Sequence, residues 1–463
     1  MSDDLDGWSG ADFALAADRL DTPDVIEAAD PADMLRQVAS AAAQVRTALR
    51  SCAESDLSAF TPDARPRAVV VAGMGGSALA GEMLNAMTGL GSPVQVVVAQ
   101  AGRLPGWVGA TDAVLAVSCS GSTPETLAVA AEAARRGCRL AGVGAEGSPL
   151  HRIAEQARAP FVPVVPVVPA SGFRGGSDPP PQAARPAPPQ AASPAGSSFP
   201  KGGPGGWVPG EENESAPLPR AMLWSVAIPL LVMAERLGLT RIAPDLYEQA
   251  ARRLEEVSNQ CRPASESFVN PGKSLALDLV GALPMVWGTS LLSGVAAHRF
   301  ASQLQENAKY PAISGVLPEA GYDQVAAFDG PFAPRSSRLS ATAPPEPGAP
   351  PGGADDVTGL PDLSDWDLDY EDEPASGFTP LRLILIADPD EEQRAAAQRA
   401  AVTELAGQRG VGISELAMDG EHPLVRLAGV IQLTDYASVY LAIASGIDPS
   451  QTAAITDLQA RIE

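Results

Sequence analysis

Lysine and histidine are both scarce in this chain of 463 residues. Three lysines (Lys201, Lys273, Lys309) and three histidines (His151, His298, His422) occur, and arginine supplies nearly all the positive charge. Against 32 basic side chains stand 56 acidic ones, a formal net charge of −24 at pH 7. A surface this acidic repels nucleic acid and anionic lipid, so neither is an expected partner. It also repels phosphorylated metabolites at long range, so a phosphate site must work through local backbone dipoles. Cysteine is limited to Cys52, Cys119, Cys138 and Cys261, with no CxxC spacing, which fits reduced thiols in a cytosol. No apolar run reaches the ~18 residues that span a bilayer. The acidic, polar opening Met1–Gly10 is unlike a signal peptide, so a cytoplasmic location is expected. No Asp/Glu/His spacing suits a metal, and no GxSxG elbow suits a nucleophilic triad.

What is present is globular: 45% of residues are hydrophobic, and the length allows two or three domains. Two stretches stand apart. Residues 169–219 hold 13 prolines and 9 glycines in 51 positions. Residues 331–377 are similar, and within them 355–373 has nine acids and no base. Neither can bury enough apolar surface to offset its ordering entropy, so both read as disordered insertions. Elsewhere short apolar strands alternate with helices. Strands are predicted at 67–72, 94–99, 113–117, 139–143, 161–168, 283–287, 381–387 and 412–418. Helices are predicted at 31–51, 77–87, 124–136, 220–238, from Leu246 to Val257, and at 294–308, 391–408 and 423–444. Continuous Val/Ile/Leu strands joined by helices argue for parallel sheets covered on both faces, an α/β fold.

The sharpest local signal is Val69-Val70-Val71-Ala72-Gly73-Met74-Gly75-Gly76-Ser77-Ala78. A buried strand runs into a glycine-rich turn and then a helix. The glycines let the backbone approach a ligand, and the helix start offers unpaired N–H groups and the positive end of its dipole. The looser dinucleotide form GxGxxA is met, but the next strand brings no convincing acidic ribose ligand, and no GK[ST] follows to make a P-loop. A second turn, Ser118-Cys119-Ser120-Gly121-Ser122-Thr123-Pro124-Glu125-Thr126, again joins a strand to a helix. It sets several hydroxyls at one strand end, and Pro124 suits a first helical turn. Such a cluster could serve only as a helix cap. Two such turns at neighbouring strand ends favour a ligand instead, because ligands bind at the carboxyl ends of parallel strands.

The pair GMGGSA and SCSGSTPET resembles the sugar isomerase (SIS) domain. Pro219-Arg220, the run Gln305-Glu306-Asn307-Ala308-Lys309, Ile431–Asp435 and Gly446–Pro449 resemble the bifunctional phosphoglucose/phosphomannose isomerase family. The resemblance covers roughly 31–168, 218–330 and 378–463. It implies two SIS-type subdomains and a homodimer. The chain then divides into a tail (1–30), a first subdomain (31–168), the Pro/Gly-rich insertion (169–219), the end of the first and start of the second subdomain (220–330), the acidic insertion (331–377), and the rest of the second subdomain (378–463). It implies that Gly75, Gly76, Ser77, Ser118, Ser120 and Thr123 bind the phosphate of a sugar, with no cofactor and no metal. It also implies that Glu306 is the base and Arg220 works at the active site.

Aldose–ketose isomerisation must open a ring, then move a proton between C1 and C2, which a carboxylate within hydrogen-bond reach can do. A fixed cation such as Arg220 is worth most where enediolate charge develops. Two positions depart from the family pattern. Tyr322 stands where a histidine is expected, and no lysine follows Lys309. Tyrosine, titrating near ~10, is a poor replacement at neutral pH. His298 lies eight residues before Glu306, about 12 Å along a helix, too far to share one sugar carbon. Three readings stay open: an isomerase of glucose or mannose 6-phosphate with fructose 6-phosphate, a non-catalytic sugar-phosphate binder, and an assembly protein that uses its acidic insertion.

Overall fold

The computed structural model describes residues 10–62, 65–167, 218–334 and 379–462. The disorder expected at 169–219 and 331–377 falls almost wholly outside them. The described chain forms two compact units, residues 39–242 and residues 1–38 with 243–463.

With elements numbered in chain order, the unit of 39–242 holds α4 (Ala41–Glu54), β1 (Ala68–Ala72), α5 (Gly76–Thr88), β2 (Gln95–Ala99) and β3 (Ala113–Ser118). It continues through α6 (Pro124–Arg135), β4 (Arg139–Gly144), α7 (Pro149–Ala157), β5 (Phe161–Pro163) and α8 (Leu223–Arg236). The five strands pair in parallel in the order β2-β1-β3-β4-β5. β1 and β3 are central and wholly buried, as their unbroken apolar sequences AVVVA and AVLAVS require. On one face Val70, Ala72, Val114 and Ala116 pack with Val129, Ala133 and Leu140. On the other face α5 lies so close that a Cβ at Gly81 would sit 2.9 Å from Val71. Strand order reverses between β1 and β3, the position where open parallel sheets hold ligands.

The second unit opens with α1 (Gly10–Asp21), α2 (Pro23–Ala29) and α3 (Met34–Ala39), and resumes with α9 (Pro244–Gln260), α10 (Pro271–Leu279), β6 (Leu283–Gly288), α11 (Leu291–Ala308) and β7 (Ile313–Val316). It ends with β8 (Leu381–Ala387), α12 (Gln393–Gln408), β9 (Gly412–Ala417), α13 (Pro423–Ala444) and α14 (Ala453–Ile462). Its parallel sheet runs β7-β6-β8-β9, the same order as the first four strands of the other sheet. α13 is long and apolar enough to cross a membrane by length and composition, yet 94% of its apolar window is buried inside the protein. It is the central core helix of its unit, flanked by α9, α10 and α11.

The single helix expected over 31–51 is two. The Asp30 carboxylate accepts from the backbone N–H groups of Met34 (2.7 Å) and Leu35 (2.8 Å), so the helix starts at Met34 rather than Pro31. A break at Ser40 then separates α3 from α4. α1, α2, α7, α10, β7 and α14 are not among the elements expected from the sequence. β7 is a short edge strand with the pattern Ile-Ser-Gly-Val, too polar to register as a buried run.

Candidate functional site

β1 and β3 pair side by side, Val69 with Ala113 through Ala72 with Ala116, so both turns leave neighbouring carboxyl ends. The turn after β1 closes at Gly75, with φ +52° and ψ −125°, a conformation that side chains resist. No side chain caps α5. A Cβ at Gly75 or Gly76 would meet open space within 4 Å, whereas one at Gly73 would strike Ser77 at 2.8 Å. The two glycines therefore face outward while the third lets the helix fold back on the turn. Ser77 is buried just behind them.

The turn after β3 is organised by its hydroxyls. Ser118, itself buried, lies 2.9 Å from Thr123 Oγ1 and 3.3 Å from Ser120 Oγ, and its Oγ accepts from the Gly121 N–H at 3.0 Å. The Ser122 hydroxyl donates to Ser120 Oγ at 2.9 Å. Thr123 occupies the N-cap position of α6 but makes no side-chain capping bond, because its hydroxyl turns to Ser118 instead. A cluster that served only the helix would cap it. The two turns also touch: the Cys119 thiol bonds the Ser77 side chain, and burial pushes that thiol up to about 12, so it stays neutral. The turns 73–77 and 118–123 contain no cationic side chain, so anion affinity here must come from N–H groups, hydroxyls and helix dipoles.

Sequence reading missed what braces this turn. Gly121 has φ +65°, and a Cβ there would lie 2.1 Å from Ser148 Oγ. A Cβ at Gly144 would lie 2.6 Å from the Ser118 carbonyl oxygen. Ser148 and Gly144 are close to the turn in space but distant from it along the chain, and only the β3–β4 register brings them in.

The second sheet has its own turns at the corresponding strands, and their polar side chains bond one another. Asp388, at the end of β8, accepts from Ser290 Oγ at 2.6 Å, and its backbone N–H donates to Thr289 Oγ1 at 3.0 Å. Arg426 Nε lies 3.3 Å from Asp388 Oδ1, and both side chains are buried. An internal carboxylate thus ties together the turns after β6 and β8.

Of the residues proposed for chemistry, Arg220 is half-buried in a 3-10 turn, Pro219–Ala221, within the first unit. The Ala221 carbonyl in that turn accepts from buried Gln44 at 2.7 Å. Glu306 lies in the second unit, half-buried near the end of α11. The helix stops one turn later at Lys309, in the left-handed region (φ +59°), whose ammonium donates to the carbonyls of Glu306 and Asn307 (3.0 Å each) and of Asp448 (3.2 Å). Two of the short motifs, 305–309 and 446–449, thereby meet. Tyr322 is 65% exposed, and its hydroxyl accepts from Arg394. His422 is the N-cap of α13, its Nδ1 accepting from the Leu424 N–H, and burial lowers its pKa. His151 accepts from the Gly147 N–H and stacks on Phe161. Among the described residues no His/Cys/Asp/Glu group is arranged to hold a metal.

Residues 268–462 match the family model for the bacterial phospho-glucose isomerase C-terminal SIS domain. A bifunctional phosphoglucose/phosphomannose isomerase from Caldicellulosiruptor bescii is 23% identical over 394 residues, 85% of this chain and 89% of that protein. One of the same description from Aquifex aeolicus is 32% identical over 78 residues, 17% of this chain and 24% of that one. Among solved structures, a hypothetical protein from Thermus thermophilus superposes with a TM-score of 0.55 at 14% identity, covering 98% of this chain and 94% of that one. Glucosamine-6-phosphate deaminase from Thermotoga maritima superposes with a TM-score of 0.51 at 9% identity, covering 91% and 97%.

Proposed function

We propose that this chain is a SIS-domain isomerase of the bifunctional phosphoglucose/phosphomannose type, interconverting glucose 6-phosphate or mannose 6-phosphate with fructose 6-phosphate; the match of residues 268–462 and the 23% identity over 394 residues support this reading. The observation that carries the reading is the open pair of turns at the strand-order reversal, with outward Gly75 and Gly76 beside the hydroxyls of Ser118, Ser120 and Thr123. In this reading the phosphate sits against those groups and Ser77. In the aldose-to-ketose direction the Glu306 carboxylate takes the proton from C2 and returns it to C1, while the hydroxyl proton passes from O2 to O1 through solvent; the ketose reacts by the reverse steps, and Arg220 steadies the enediolate between them. The absent histidine and lysine leave ring opening to solution, so the open-chain sugar is the reacting form. As in the family pattern, the working unit is a homodimer in the cytoplasm.

The test is conversion of fructose 6-phosphate by purified protein, read through the aldose 6-phosphates formed. Glu306→Gln should lower turnover by at least about 10²-fold, as loss of a general base does, while the ligand-induced rise in melting temperature persists.

A second reading, a non-catalytic sugar-phosphate binder, is favoured by Tyr322, exposed and engaged by Arg394 where a ring-opening group is expected. A melting shift with fructose 6-phosphate and no turnover decides for it. No shift and no turnover removes both.

A further inference from the structure

A hollow of about 610 Å³ opens at the other end of the first sheet, where β4 and β5 begin. That is within the size range of small-ligand sites. Arg139 at its rim and Gly144 beside the phosphate turn are the two ends of β4, about 17 Å apart at ~3.3 Å per residue, so the two places are distinct. Three arginines line it from three different elements: Arg135 ends α6, Arg139 begins β4, and Arg158 follows α7. Ala134, Leu140 and Ile153 give it an apolar floor. No Asp or Glu is among its lining residues, although acids outnumber bases 56 to 32 in the chain.

A cation at a helix C-terminus has an ordinary explanation, since it complements the dipole. Arg135 and Arg158 both stand at such ends. The magnitudes do not match, however. Each helix end supplies about half a negative charge, against the full positive charge of its arginine. Even with Arg139 left out of the count, Arg135 and Arg158 carry about one positive charge more than those two dipoles offset, and Glu132, the acid that feels Arg135, is bonded to Arg136 instead. Arg158 also holds a left-handed backbone (φ +51°), a conformation that Asn or Gly takes more easily than a long side chain does.

We propose that this hollow is a second anion site, taking a compact, multiply charged metabolite, either a phosphate ester or a polycarboxylate. The experiment is calorimetric titration of the full chain carrying Gly76→Asp, which puts a carboxylate into the first site, with inorganic pyrophosphate in one arm and citrate in the other. At least one anion should bind saturably. Arg135→Ala with Arg158→Asn should weaken it tenfold or more, with the single Arg135→Ala variant between. Both side chains are exposed, and Asn tolerates the backbone at 158, so melting temperatures should stay level. Binding of pyrophosphate alone identifies phosphate chemistry, and of citrate alone carboxylate chemistry. If neither binds, or if the arginine substitutions leave binding unchanged, the site does not exist.

Discussion

At Gly76 the demands of folding and of binding separate cleanly. A side chain there meets nothing of the protein, so Gly76→Asp should melt within about 1 kcal/mol of the parent, the usual range for a substitution that disturbs no packing. The same carboxylate would stand where a phosphate is proposed to lie, so the melting shift with fructose 6-phosphate should disappear. Binding that survives would move the site elsewhere. Much of this turn is legible in the sequence, since glycine between a buried strand and a helix has few other uses, and Ser118 to Thr126 reads as a single motif. Gly144 and Ser148 are not legible. They shape the turn only through the register of β4 on β3, and a single sequence does not display register.

Among the elements, α11 and α13 are locked by a buried pair. Arg299 donates to both carboxylate oxygens of Asp435, at 3.0 and 2.9 Å, and each side chain is at most 9% exposed. Burial raises the Asp435 carboxyl, while the guanidinium opposes that rise. Arg299→Met alone should cost about 3–5 kcal/mol, because it strands a charge in the core. Adding Asp435→Leu should recover most of the loss, a pattern that urea denaturation of the two variants reads directly. A deficit that persists in the double variant would mean that packing, not charge, holds the helices. In the sequence Ile431–Asp435 is read through its resemblance to the isomerase family, and the structure gives Asp435 this bracing role. The bounds of Pro423–Ala444 are readable because a proline start and a mainly apolar stretch ending just before Gly446 define it. The start of the helix expected over 31–51 is not, because the Asp30 side chain, a non-helical residue upstream, sets the first turn.

For the molecule as a whole, the excess of acid makes pH a sensitive variable, and one carboxylate carries a defined share. Asp112 precedes β3 and is gripped by Arg67 at 3.0 and 2.7 Å and by the Gly109 N–H at 2.8 Å. The Arg67 hydrogen bond holds its carboxyl below the usual range. A depressed carboxyl stabilises the fold above its unfolded value of about 3.9, and this contribution is lost as pH falls through the folded value. Asp112→Asn should therefore melt below the parent at pH 7, and the gap should narrow steadily on acidification below about pH 4. A gap that stays constant with pH would exclude the ionic origin. Composition and patterning give the fold class at this scale, because alternating strands and helices leave few architectures. They do not reveal Asp388. That side chain supplies the second sheet with a permanent, covalently tethered anion, so the repeated architecture does not repeat the receptor. On the proposed reading the turns of the first sheet alone take fructose 6-phosphate at the strand ends, so the binding that Gly76→Asp abolishes should follow a plain hyperbola of one equivalent per chain.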